Sequence, residues 1–164
     1  MQRLGFGLGA CLRPGDVVLL SGEMGAGKSV LTRAAAHALG VDGPVPSPTF
    51  TILNIHEGRE MRLYHFDLYR LEGADALYEA GLDEMIPARD GACMIEWPQM
   101  AMEAMPHDAL LIDIAYGQGG EGRRVMLTPR GAFGRERIAA LCAAQGAGPG
   151  GAREDAREEE GDEP

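Results

Sequence analysis

The sequence predicts an α/β fold, a mixed β-sheet flanked by helices with antiparallel hairpins. Three observations predict it. Short apolar, β-branched runs alternate with longer stretches of helical character. A glycine-rich loop joins the first such run to the first long helical stretch. Two pairs of strand-like runs are separated only by short turn-forming segments, the pattern of antiparallel hairpins.

Residues 3–12 can form a short helix with Leu4, Leu8 and Cys11 or Leu12 on one face, broken by Pro14 and Gly15. Residues 16–21, Asp-Val-Val-Leu-Leu-Ser, read as a buried parallel strand. Residues 29–39 read as a helix ended by Gly40. Residues 51–56 and 61–66 are strands joined by the turn Glu57-Gly58-Arg59-Glu60. Residues 74–80 form a helix closed by Gly81, and residues 92–96 a further buried strand. Late strands at 110–115 and 123–127 flank a turn at 117–122. A final helix at 133–144 places Ile138, Leu141 and Cys142 inward.

Composition sets limits. At 164 residues the chain suffices for one domain with a core. Residues 146–164 hold two arginines against seven acids, half of the net charge of −10, and offer almost nothing to bury. Such a segment cannot offset its ordering entropy, so it is expected to be a disordered acidic tail behind a domain of residues 1–145. The acidic balance argues against a broad phosphate-tracking surface, and so against DNA as a direct partner. No apolar run approaches the roughly 18 residues of a membrane span, and the N-terminus does not read as a signal peptide, so a cytoplasmic location is expected. Cys11, Cys93 and Cys142 are widely spaced and suggest neither a zinc site nor a disulfide framework.

The chemistry is in the glycine loop. Gly22-Glu23-Met24-Gly25-Ala26-Gly27-Lys28-Ser29 fits G-x-x-x-x-G-K-[ST], with a buried strand before it and a helix after it. Glycines let the backbone curl so that successive N–H groups point at phosphate oxygens, and the helix adds its partial positive N-terminus. Lys28 would reach the β- and γ-phosphates, and the Ser29 hydroxyl would take a magnesium position. The candidate nucleotide-binding set is therefore Gly22, Glu23, Met24, Gly25, Ala26, Gly27, Lys28, Ser29 and Val30, for ATP or ADP with Mg2+. A glycine-rich turn could match by chance in a chain with 24 glycines. Yet Lys28 is the only lysine among 15 basic residues, placed where a compact ammonium is needed. The fold is thus expected to be P-loop NTPase-like.

Phosphoryl transfer also needs acids for the metal. Asp67 and Glu96 each end a strand, where ligands of open α/β sheets bind. Either acid could cap or salt-bridge instead; two beside a P-loop favour a role toward magnesium, direct or through water.

Four segments together resemble the bacterial TsaE (YjeE-type) P-loop ATPases of tRNA threonylcarbamoyladenosine biosynthesis. They are Pro14 through Ser29, then Ser47-Pro48-Thr49-Phe50, His65-Phe66-Asp67-Leu68-Tyr69-Arg70, and Ile95-Glu96-Trp97-Pro98. The resemblance runs from about Leu4 to Leu141. It implies that Lys28 and Ser29 bind phosphate and magnesium, that Thr49 lies in a switch-like loop near the γ-phosphate, and that Asp67 is a catalytic or metal-organising acid. Glu96 would be the Walker B-type acid on magnesium. Trp97 would lie near the nucleotide, or else be a partly buried core aromatic. Tyr69 and Arg70 would face nucleotide or partner, or simply pack at the strand end. Serine in place of the family's commoner threonine at position 29 keeps the hydroxyl. Family members usually carry a strand before the first helix; this sequence begins inside that helix, so either the start is misassigned or the sheet lacks an edge strand.

The function implied is an ATPase acting with TsaB- and TsaD-type partners, weak alone, with tRNA met through the complex. A small-molecule kinase is the second possibility, although Arg123, Arg124 and Arg130 cluster around a hairpin that suits a lid poorly. A nucleotide-gated binding module without useful turnover is the third.

Overall fold

The computed structural model describes residues 1–144; the acidic segment expected to be disordered lies outside them. Helix α1 spans Gln2–Gly9, strand β1 Val17–Gly22 and helix α2 Lys28–Ala38. Strands β2 (Leu53–Glu57) and β3 (Arg62–Asp67) follow, then helix α3 (Ala74–Glu79) and strand β4 (Gly91–Glu96). Strands β5 (Ala109–Tyr116) and β6 (Arg123–Arg130) lead into helix α4 (Gly131–Ala144).

The six strands form one sheet in the order β2-β3-β4-β1-β5-β6. Its inner strands β3, β4, β1 and β5 run parallel, and β2 and β6 return antiparallel at the two edges. The expected mixed sheet with two hairpins is therefore what forms. The placement follows from side-chain character. Every residue of β4 and the first four of β1 are buried, as strands covered on both faces require. The edge strands β2 and β6 alternate partly buried with exposed residues over much of their length.

Alternation along the inner strands divides the core. Val18 and Leu20 of β1, Leu63 of β3 and Met94 of β4 face α2, packing with Leu31, Ala35 and Ala36. Val17, Leu19, Phe66 and Ile95 face the other way, against Leu71, Leu77, Ala101 and Met105. Helix α1 lies directly on α2: a methyl group at Gly5 or Gly9 would overlap the α2 carbonyls of Leu31 and Ala35. The glycines that weaken α1 as an isolated helix are thus what let the two backbones meet.

Several sequence expectations shift. The first helix stops at Gly9, and Leu12 is buried beyond its end. Cys142, expected inward on the last helix, is exposed, while Leu141 takes the core position. The buried positions of this helix, Gly134, Arg137 and Leu141, follow one another at three- and four-residue spacing, and Cys142 is one residue off that line. Short 3₁₀ turns at Asp83–Met85 and Pro98–Ala104 add to the expected elements, and a third at Gln118–Gly120 lies within the expected turn at 117–122.

Asp16 precedes β1 rather than belonging to it, and it is buried. Its carboxylate accepts from Arg137 of α4 (Nε to Oδ2, 2.7 Å; the second guanidinium nitrogen to Oδ1, 3.3 Å) and from the Arg13 backbone N–H (2.7 Å). This forked ion pair joins the last helix to the start of the central strand. Losing one partner would strand a buried charge, at a cost of about 3–5 kcal/mol. Among the described residues no helix is long and apolar enough to cross a membrane.

Candidate functional site

Parallel strands β1, β3 and β4 end at the same edge of the sheet, and the P-loop rises from the end of β1. Gly22, Gly25 and Gly27 all have positive φ (138°, 76° and 116°). At Gly22 a side chain would also collide with the Ile114 carbonyl of β5, so both conformation and space require glycine. Among the described residues the backbone N–H groups of Gly25, Gly27, Lys28 and Ser29 have no acceptor in the protein. Four such donors around the start of α2 form an anion cradle.

Lys28 is only 4% exposed. Its ammonium donates to the carbonyls of Gly22 (2.7 Å) and Glu23 (2.9 Å) and sits 3.9 Å from the Trp97 ring centroid. Burial holds its pKa below the ordinary lysine value, opposed by the charges of Glu96 and Asp67. Ser29 donates from Oγ to Glu96 Oε2 at 3.0 Å, and His65 Nε2 lies 2.8 Å from the other oxygen, Oε1. Asp67 and Glu96 are register partners across β3 and β4, and both are buried. Asp67 Oδ2 accepts from Thr49 Oγ1 (2.7 Å) and Ser47 Oγ (3.2 Å), while Oδ1 accepts from the Tyr69 backbone N–H (3.1 Å).

Two non-glycine residues hold left-handed backbone at this edge, Ile52 (φ 65°) after the Ser47–Thr49 loop and Trp97 (φ 59°) after β4. Each costs on the order of 1–2 kcal/mol. The Trp97 turn, followed by Pro98, leaves the indole beside the P-loop, against Tyr69 at a centroid distance of 4.9 Å.

These groups line a cleft of about 370 Å³ that includes Lys28, Ser29, Thr49, Asp67, Glu96 and Trp97. Met24, Gly25, Gly27 and Val30 line it too. Gly22, Glu23 and Ala26 do not: the first two present carbonyls to Lys28, and Ala26 packs in the core. Tyr69 belongs to the cleft wall, whereas Arg70 lies outside it, 4.7 Å from the ring of the 85% exposed Phe50. The donor set suits a phosphate with a hard divalent cation: cradle N–H groups and an ammonium for the anion, a hydroxyl and carboxylates for the metal.

Residues that sequence reasoning missed stand behind these. Arg123 donates to the carbonyls of Ala26 (2.9 Å) and Gly25 (3.5 Å) and stacks on Tyr116, whose hydroxyl donates to the Met24 carbonyl (3.0 Å). Tyr116 and Arg123 are register partners at the tip of the β5–β6 hairpin. Together they hold three successive P-loop carbonyls; of the N–H groups in those peptide units, Gly25 and Gly27 have no protein acceptor among the described residues, while Ala26 donates to the Glu23 carbonyl (3.2 Å). No local signal could have found them, because they are about 90 to 100 residues from the loop they hold.

Residues 1–125 match the family model for the threonylcarbamoyl adenosine biosynthesis protein TsaE. The chain belongs to the TsaE family. Relatives named tRNA threonylcarbamoyladenosine biosynthesis protein TsaE include one from Streptomyces coelicolor, 42% identical over 142 residues, covering 80% of this chain and 91% of that protein. Another, from Bacillus subtilis, is 38% identical over 122 residues, covering 74% of this chain and 75% of that protein. The crystal structure of Bacillus subtilis YdiB superposes with a TM-score of 0.73 at 30% identity, over 88% of each chain.

Trp97 is the only tryptophan, so its emission reports on this cleft alone. Phosphate binding must draw the Lys28 ammonium toward the ligand and away from the indole face. ADP titration is therefore expected to change the fluorescence saturably, and Lys28→Ala to remove that response. Unchanged emission at calorimetrically verified occupancy would show that Trp97 is a core aromatic insulated from the ligand.

Proposed function

We propose that this protein binds ATP or ADP with Mg2+ in the cleft, hydrolyses ATP, and serves the tRNA threonylcarbamoyladenosine modification together with TsaB- and TsaD-type partners in the cytoplasm. The observation that carries this reading is the convergence of Ser29, Glu96 and Asp67 at one sheet edge beside four free P-loop amides. A mere phosphate-binding loop has no need of two buried acids at its mouth.

In this reading the P-loop amides and Lys28 take the phosphate oxygens. Ser29 and Glu96 hold Mg2+, which when bound neutralises charge on the β- and γ-phosphates. Asp67, fixed by Thr49, Ser47 and the Tyr69 amide, would act on the cation directly or through water and orient the attacking water. Trp97 and Tyr69 wall the site. Among the described residues no arginine lines the cleft: Arg123 is committed to P-loop carbonyls and Arg70 lies outside beside Phe50. Beyond Lys28 no cationic side chain among them lines the cleft, and in P-loop enzymes a second cation supplied in trans is worth about 10³–10⁵ in rate.

Slow turnover by the isolated protein, with strong acceleration by the partner pair, is the expected result of a steady-state ATPase assay. Rapid hydrolysis by the lone protein, unaffected by the partners, would overturn the role in the complex. The small-molecule kinase reading loses its main lid candidate, since Arg123 is engaged with the P-loop and Arg130 donates to Met102 Sδ.

A further inference from the structure

His65 is the anomaly of the sheet face that meets α2. Its neighbours there, Leu63, Met94, Val18 and Leu20, are apolar, and it is 1% exposed. Its Nε2 meets Glu96 Oε1 at 2.8 Å, while its Nδ1 is buried without a partner among the described residues. Among the described residues the ring lying near it is that of His56, at 6.2 Å between centroids, whose Nε2 is likewise buried without a partner. A carboxylate oxygen only accepts, so Nε2 carries a hydrogen. An N–H at Nδ1 would be a buried orphan donor, which costs more than a buried lone pair spared that hydrogen. The tautomer is thereby set: His65 donates to Glu96 through Nε2.

We propose that His65 is the positioning residue of Glu96: its Nε2–H fixes one carboxylate oxygen so that the other stays aimed at Ser29 and the cation site. The inference rests on the nucleotide–magnesium reading of the cleft. A carboxylate free to rotate about its terminal torsion would present either oxygen or neither; one pinned by a ring locked in β3 presents Oε2 alone. Imidazole does this better than a flexible donor because β3 fixes its position and the apolar packing fixes its plane. Nothing else in the contacts of His65 accounts for a polar ring at this depth.

The test uses the full chain, ADP and Mg2+, with two substitutions. His65→Leu fills the space without a donor, and His65→Gln can place an amide N–H near the Nε2 position. Calorimetry in EDTA and in Mg2+ separates phosphate binding from metal-dependent binding. His65→Leu is expected to keep ADP affinity in EDTA within about twofold. It is expected to lose the Mg2+-dependent gain by about 10–100-fold, and His65→Gln to recover most of it. Partner-stimulated kcat/KM is expected to follow the same order. Independently of any nucleotide, proton NMR of the free protein is expected to show one exchange-protected imidazole N–H. It is expected to disappear in His65→Leu and shift in Glu96→Gln. If His65→Leu does not fold, His65→Asn, too short to reach Glu96, takes its place. A native Mg2+ gain in the Leu or Asn variant, or equal loss in the Gln variant, overturns the proposal. Absence of any Mg2+ effect on the unaltered protein overturns the reading of the cleft itself.

Discussion

Replacing Lys28 with alanine is expected to lower ATP and ADP affinity by about 10²-fold or more. The ammonium is positioned to bridge two phosphates, and each charge-assisted contact is worth about 1.5–3 kcal/mol. The full sum is not realised, because on binding Lys28 must relax its bonds to the Gly22 and Glu23 carbonyls and its contact with Trp97. Even one net contact exceeds tenfold. Isothermal calorimetry at micromolar nucleotide checks it, and near-native affinity would remove the P-loop assignment. The burial that holds the Lys28 pKa below the ordinary lysine value adds a sign to the pH dependence. In the free protein the ammonium deprotonates earlier than an exposed lysine. Affinity is therefore greatest below that lowered pKa and falls as pH rises through it.

Glu96→Gln and Asp67→Asn are expected to lower partner-stimulated hydrolysis by about 10²–10³-fold while moving ADP affinity measured without Mg2+ by only a fewfold. Both acids are buried at adjacent register positions, one bonded to the Ser29 hydroxyl and the other to Thr49 and Ser47. Charge demands on metal and water peak in the transition state, so removing one negative charge while keeping shape affects kcat more than binding. Single-turnover hydrolysis with the assembled partners is the measurement. Normal rates in both variants would take the metal and water roles away from these residues.

The expectation that Asp67 and Glu96 act together was readable from their places at strand ends. That they are register partners was not, since pairing β3 with β4 in parallel depends on a crossover through α3 and on burial of both strands. The motif His65 to Arg70 was visible as a unit, yet its members part company in the fold. In a strand, alternate side chains face opposite ways, so His65 and Asp67 share the α2 face while Phe66 enters the other core cluster. Tyr69 and Arg70 lie beyond the strand, where the turn decides their directions.

The sequence by itself determined the P-loop, because eight consecutive residues carry their whole requirement in local backbone freedom, one ammonium and one hydroxyl. It also determined the mixed sheet and its hairpins, because the period of apolar residues and the turn chemistry are local properties. Tertiary structure alone decided what surrounds the loop. Tyr116 and Arg123 reach the Met24, Gly25 and Ala26 carbonyls only because β5 lies beside β1 and β6 beside β5. His65 finds Glu96 only because β3 lies beside β4. Contacts between residues 31 to 98 positions apart leave no periodicity in the chain; they come into existence when strands buried on both faces settle their order.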